Sequence, residues 1–257
     1  MSRLHLFEFE DLGWFPHFLR NYGTDFLQYV SNKMKIYQPI VTLLEEALVK
    51  SEQNRIIDLG SGGGGGLLWI SKQLKKNHPE IKILLTDLYP NKTAFERTQK
   101  QSSDFEYIET PIDARDVPEH LTGLRTQFLS LHHFRPEDAQ KILQNAVDTG
   151  SSIAIFEAQE RSIASFIGMF ISPITLWITT PFIRPFKIGR ILFTYIIPLV
   201  PLFVWWDGMV SVLRTYSVKE MNALVQNVIN KDSFDWKIGR VKGEPGVNLY
   251  LIGTKKP

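Results

Sequence analysis

The chain has 257 residues, 44% of them hydrophobic, enough for one α/β domain carrying an insertion. Lys and Arg total 29 against 27 Asp and Glu, a formal charge of +2, which argues against a nucleic-acid binder working through a broad basic face. Cysteine is absent, which excludes disulfides and thiolate metal sites and fits a reducing, cytoplasmic setting.

The first residues, through Asp11, are too acidic and too short in apolar run for a signal peptide. An aromatic, amphipathic stretch follows from Phe15 to Val30, with Pro16 at a helix start. A second helix is expected over Pro39–Val49, with Leu43, Leu44, Ala47 and Leu48 on one face. Residues 1–50 thus read as a helical cap, in which Phe15, Arg20 and Tyr22 are candidate ligand contacts or ordinary helix packing.

The chain then alternates strand and helix. Arg55–Leu59 is a β-branched run ending Asp58-Leu59, and it enters the tract Gly60-Ser61-Gly62-Gly63-Gly64-Gly65-Gly66. The helical spacing of Leu67–Leu74 comes next. A strand, a glycine turn and a helix N-terminus let backbone approach a ligand closely and aim free N–H groups at it. The tract satisfies a dinucleotide glycine pattern, but so many glycines satisfy almost any such pattern. Asp58 discriminates better: a carboxylate there suits a cationic group and repels a pyrophosphate. Ile81–Asp87 reads as a second strand ending on an acid, placed to accept from ribose hydroxyls or to cap the helix after Tyr89-Pro90-Asn91. Phe105–Glu109, Thr126–Leu131 and Ser152–Glu157 are the next strands. This order implies a mostly parallel sheet with helices on both faces. Residues 51–160 form its core.

Asp58-Leu59-Gly60-Ser61-Gly62-Gly63-Gly64 resembles the first motif of class I S-adenosylmethionine (SAM)-dependent methyltransferases. The resemblance implies SAM as cofactor, held by Asp58, Gly60, Ser61, Gly62 and Gly64. It implies that Asp87 grips the ribose, that Leu88 packs on the adenine, and that Asp113 with the Ala114 backbone meets the adenine amino group. It also places Leu131-His132-His133 at the sheet edge facing the transferred methyl, with His133 as the catalytic candidate and Glu157 as the next. Ser61 departs from the usual Cys or Ala, and the glycine run is longer than the family's. No Asn-Pro-Pro-Tyr sequence follows the fourth strand, which disfavours methylation of a planar amide or exocyclic base nitrogen. An NAD(P)-dependent oxidoreductase is the alternative enzyme; Asp58 and the lack of a Tyr-x-x-x-Lys pair speak against it.

After the fifth strand the composition changes abruptly. No charged residue occurs from Ser162 through Ile183, nor from Ile191 through Trp206, and Arg184, Lys187 and Arg190 lie between the two runs. The first run has the length of a transmembrane helix. Pro173 and Pro181 are expected to interrupt it, Pro198 and Pro201 the second run, and a spanning hairpin would carry its basic loop against the positive-inside bias. The insertion, 161–210, is therefore read as a lid over an apolar substrate, or as a membrane-contacting element through 162–206 with its basic residues near anionic headgroups. Core or dimer interface is the plainer reading. Asp207 and Arg214 are expected as a structural ion pair, or with Tyr216 as substrate-orienting groups. In the final part, 211–257, Ser217 and Glu220 form a capping box, and Phe234–Ile238 and Val247–Ile252 form a hairpin around Gly243-Glu244-Pro245-Gly246.

The sequence thus implies a Rossmann-like, seven-stranded, mostly parallel sheet with an antiparallel C-terminal hairpin. It implies methyl transfer to a hydrophobic small-molecule or lipid-like acceptor in the cytoplasm, peripheral to a membrane. A non-catalytic membrane-surface or partner-binding protein on the same fold is the other class of reading.

Overall fold

A computed structural model describes residues 2–244 and 246–256. Seven strands form one sheet in the order β3-β2-β1-β4-β5-β7-β6. They are β1 (Arg55–Leu59), β2 (Lys82–Thr86), β3 (Phe105–Tyr107), β4 (Leu124–Phe128), β5 (Ile153–Glu157), β6 (Phe234–Lys242) and β7 (Val247–Lys255). β1 through β5 pair in parallel, whereas β7 runs antiparallel to both β5 and β6. This is the expected seven-stranded Rossmann-like sheet. Its central strands are buried on both faces, which is why they read as unbroken apolar runs and not as alternation.

Helices cover the two faces. On one lie α2 (Val41–Lys50), α3 (Leu67–Leu74) and α4 (Lys92–Gln101), around Ile40, Leu44, Ile70, Leu74 and Phe95. On the other lie α5 (Pro136–Asp148) and α9 (Val218–Gln226), around Ile142, Leu143, Met221 and Leu224. Proline opens α5 at its first turn, where no N–H is needed, and the buried Ala139, Ile142, Leu143, Ala146 and Val147 form one stripe. The Ser217–Glu220 capping box forms at the start of α9. The hairpin's turn residue Pro245 lies outside the described residues; beside it, the Gly243 N–H donates to the Gly246 carbonyl at 2.9 Å.

The strand order reverses between β1 and β4. A crevice must open there at the carboxyl edge, since the connections leave to opposite sides. The glycine turn after β1 and the Leu131–His133 turn after β4 both emerge at this point. His132 and His133 therefore stand in a 3₁₀ turn beyond the strand, which ends at Phe128, short of the expected Leu131.

A third, separate core joins the cap to the insertion. α1 (His17–Lys33) packs through Phe15, Leu19 and Phe26 against Leu176, Ile183, Val200 and Phe203. The insertion comprises α6 (Ile163–Thr179), the short α7 (Ile188–Ile191), one π turn (Leu192–Ile196) and α8 (Leu199–Arg214). Pro173 sits inside α6 without ending it, contrary to the expected interruption; Pro181 follows in a 3₁₀ turn just beyond the helix end. By length and composition, Ile163–Phe182 could cross a membrane, and only 11% of its apolar window is buried. α8 meets the segment before it at a bend of 76°.

Candidate active site

The cleft at the strand-order reversal has a volume of about 670 Å³, within the range of small-molecule sites. The glycine turn forms its floor. Gly60 and Gly62 adopt φ of +70° and +53°, the left-handed region that glycine enters without strain. The turn is pinned before any ligand arrives. The Ser61 N–H donates to the Thr86 carbonyl at 2.9 Å, and the Ser61 hydroxyl donates to the Asp58 carbonyl at 3.0 Å. From above, α1 clamps it: Gln28 donates to the Gly63 carbonyl, and Asn32 donates to the Gly65 carbonyl at 2.6 Å while accepting from the Trp69 N–H. A Cβ on Gly63 would stand 3.3 Å from the Thr24 carbonyl oxygen, a tight contact that shows how closely α1 approaches the turn.

The structure brings most of the sequence-derived site residues to this cleft. Gly60, Ser61, Gly62, Asp87, Leu88, Asp113, Ala114 and His133 all line it. Asp58 and Gly64 lie behind its wall. Asp58 is 2% exposed, and its Oδ1 accepts from the Thr126 hydroxyl at 2.8 Å. Burial lifts its pKa to about 7, against the opposing hydrogen bonds of Ser61 and Thr126. Gly64, at φ +85°, faces Thr98 and Gln28.

Asp87 accepts from the Gly62 N–H through Oδ2 and from the Tyr89 N–H through Oδ1, each at 2.8 Å. Each oxygen keeps a lone pair for a further donor. Asn91, not Asp87, caps α4 by accepting from the Ala94 N–H. The Asp113 carboxylate is held by Arg115 in a two-pronged pair at 2.9 and 2.6 Å, which keeps its pKa below the usual value. Leu129, at the cleft end of β4, has φ +50°; such backbone costs a non-glycine residue about 1–3 kcal/mol and clusters at functional sites.

The far end of the cleft is charged, and the N-terminal segment supplies most of the charge. His132 is buried, with Nδ1 at 2.8 Å from Glu157 Oε2. His133 Nδ1 lies 2.9 Å from Asp11 Oδ1 and 3.3 Å from Glu8 Oε2, and its Nε2 lies 3.6 Å from Glu10. Burial opposes charge on the His133 ring, but Glu8, Asp11 and Glu10 outweigh it and raise its pKa to about 10. A ring so placed is an imidazolium at neutral pH, which suits a hydrogen-bond donor and not a general base. Sequence reasoning did not assign Glu8, Glu10 and Asp11 to the site. The alternation Phe7-Glu8-Phe9-Glu10-Asp11 was the available signal.

Two expected arrangements differ. Asp207 and Arg214 do not pair; seven residues apart, they are about 10 Å distant along α8. Asp207 instead accepts from the Phe9 and Glu10 N–H groups at 2.8 and 3.2 Å, and Arg214 pairs with Asp11 at 2.5 Å and Glu8 at 3.3 Å. Nor do the basic residues of the insertion gather outward. Lys187 and Arg190 both reach Asp25 of α1 at 2.7 Å, where Arg97 of α4 joins at 2.8 Å. Arg190 is 1% exposed, and Arg184 is the exposed member of the three. Among the described residues, the insertion supplies none of those lining the cleft. Of the aromatic and basic candidates in the cap, Arg20 lines the cleft, whereas Phe15 and Tyr22 belong to the third core.

The architecture is that of the class I SAM-dependent methyltransferases. No protein-family model matches the chain, and no curated protein matches its sequence. Solved structures do. The plantazolicin methyltransferase BpumL, solved with S-adenosylhomocysteine, aligns over 93% of this chain and 96% of its own, at 14% identity and a TM-score of 0.51. PigF, also solved with S-adenosylhomocysteine, aligns over 95% of this chain at 16% identity and a TM-score of 0.53. Human N-acetylserotonin methyltransferase, solved with SAM, aligns over 90% at 13% identity and a TM-score of 0.50. The chain spans 63% of PigF and 56% of the human enzyme. At these identities the likeness establishes the fold.

Proposed function

We propose that the chain binds SAM in this cleft and transfers its methyl group to a hydrophobic acceptor at a membrane surface. The observation that carries the cofactor is the joined glycine turn and Asp87, at the reversal point of a sheet shared with SAM-binding proteins. The residues present suit the group. The glycine turn leaves room for a ligand against backbone, Asp87 has lone pairs free for two ribose hydroxyls, and the buried Asp58 carboxylate lies just behind the turn, where a cation is favoured. Leu88 and Ala114 flank the adenine position, while Asp113 reaches it only by sharing its carboxylate with Arg115. When bound, SAM supplies the electrophilic methyl and the thioether leaving group.

The protein's part is alignment and exclusion of water. The α1 clamp holds the floor rigid, and the segment Glu8–Asp11 closes the end beyond His133. His133, as an imidazolium, donates a hydrogen bond to the acceptor instead of removing its proton.

The acceptor class rests on the apolar surface. Ile163, Ile167, Phe170, Ile174 and Ile178 of α6 are all more than half exposed. Patches of that extent mark lipid or partner contact. α6 packs on α8, where the Met169 sulfur meets Gly208, an arrangement that suits a helix lying along a bilayer surface. Phe193 of the insertion touches Phe18 of α1, beside the cleft residue His17, and so extends the apolar face to the cleft rim. Titration calorimetry with S-adenosylhomocysteine and with NAD tests the cofactor. Saturable binding of the first alone supports the assignment; binding of NAD alone, or of neither, overturns it.

A further inference from the structure

At the far end of the cleft lies a cluster to which no part in cofactor binding has been given. Glu8, His132 and His133 each offer a ligand atom, and these atoms lie within 4.8 Å of one another. Both imidazoles are oriented by carboxylates: His132 Nδ1 faces Glu157 at 2.8 Å, and His133 Nδ1 faces Asp11 at 2.9 Å. Such pairing fixes the orientation of each ring, the usual second shell of a metal-bound histidine. Glu8 is fully buried. Its Oε1 receives Ser211 at 3.1 Å, but its Oε2 is a buried oxygen without a hydrogen-bond partner, aimed into the cluster. Buried carboxylate oxygens are rarely left so. Glu10 and Asp207 add further acid beside it, while Arg214 is the arginine that pairs within the group.

We infer that Glu8, His132 and His133 bind a divalent transition-metal cation of the zinc type, at the end of the cleft. Two imidazoles and one carboxylate suit zinc, cobalt, iron or manganese better than magnesium or calcium. The ion gives the Glu8 oxygen that lacks a hydrogen bond a partner. His133 faces the cleft, which provides a path of entry. Three protein ligands leave coordination positions open on that side. The inference stands whether or not SAM is the cofactor.

The test uses the full chain, without a polyhistidine tag and stripped with a chelator. Zn²⁺ is titrated by calorimetry and Co²⁺ by visible absorption. One ion per chain is expected, with Co²⁺ bands of low-coordinate nitrogen and oxygen ligation. Glu8→Gln and His133→Asn should each weaken Zn²⁺ binding at least about 10-fold, and Glu157→Gln about 10- to 100-fold through the second shell. His17→Asn, at the cleft rim, serves as the control and should leave it unchanged. Circular dichroism establishes that each variant is folded; if Glu8→Gln does not fold, the Co²⁺ spectrum of His133→Asn decides. Absence of saturable binding to the wild-type chain, or affinity unaltered in both ligand variants, overturns the inference and leaves the cluster an ion-pair network.

Discussion

Replacing Asp87 by Ala tests the centre of the functional argument. The carboxylate now accepts the Gly62 and Tyr89 N–H groups at 2.8 Å and keeps lone pairs toward the cleft. Truncation releases the Gly62 anchor and would remove the charge-assisted bonds proposed to the two ribose hydroxyls. A hydrogen bond to a charged group contributes about 1.5–3 kcal/mol when its partner is left unpaired, and Asp87 is only half-buried, so the lower end applies to each. Loss of one such bond, about 1.5 kcal/mol, corresponds to roughly 10-fold weaker binding, and loss of both, about 3 kcal/mol, to roughly 150-fold. Calorimetric titration with S-adenosylhomocysteine reads this directly. Asp87→Asn separates the two contributions: its side-chain oxygen can still hold Gly62, so the loop anchor survives while the charge is lost. Affinity within about twofold of wild type in Asp87→Ala, with an unchanged melting curve, would refute the placement of the ribose.

Other expectations follow from the same structure. Asp25→Ala strands the 1%-exposed Arg190 without its carboxylate, a loss of about 3–5 kcal/mol, or about 6–20 °C in Tm for a chain of this size; a drop under 3 °C by calorimetric scanning would mean the buried cluster is not ionised as described. Asp58 has a folded pKa of about 7 against 3.8 for its ordinary value, so the folded state holds a proton that the unfolded chain gives up near pH 4. Its contribution to stability is full below pH 4 and is lost as pH rises through 7; Asp58→Asn should flatten the fall of Tm between pH 5 and 8, and a parallel fall in both proteins would contradict this. Ile167→Glu with Ile174→Glu places charge on the exposed face of α6 and should reduce flotation with phospholipid vesicles at least about tenfold while leaving Tm within 2 °C; equal flotation would remove α6 from the lipid contact.

Local chemistry made a large part of this protein legible in its sequence. Arg55–Leu59 running into glycines, the acid at Asp87 and the capping box at Ser217 each act within a few residues, so their spacing alone sufficed. Strand and helix alternation implied the parallel order, and the late hairpin implied the antiparallel edge. Of the prolines in the insertion, Pro198 does mark a break, at the start of α8, but Pro173 misled for the same local reason. A lone Pro173 ends a helix on propensity, yet α6 continues through it, packed against α8. Tertiary structure decided the rest. The acid cluster on His133 comes from Glu8, Glu10 and Asp11, more than a hundred residues away in the chain. Asp25 selects Lys187, Arg190 and Arg97 from two distant segments, and Arg214 leaves Asp207 for the N-terminal segment. The insertion stands behind α1, away from the cleft, because its apolar side chains find Phe15, Leu19 and Phe26 there. Charges and apolar faces specify the kind of partner they need, but which partner they meet depends on the path of the folded chain.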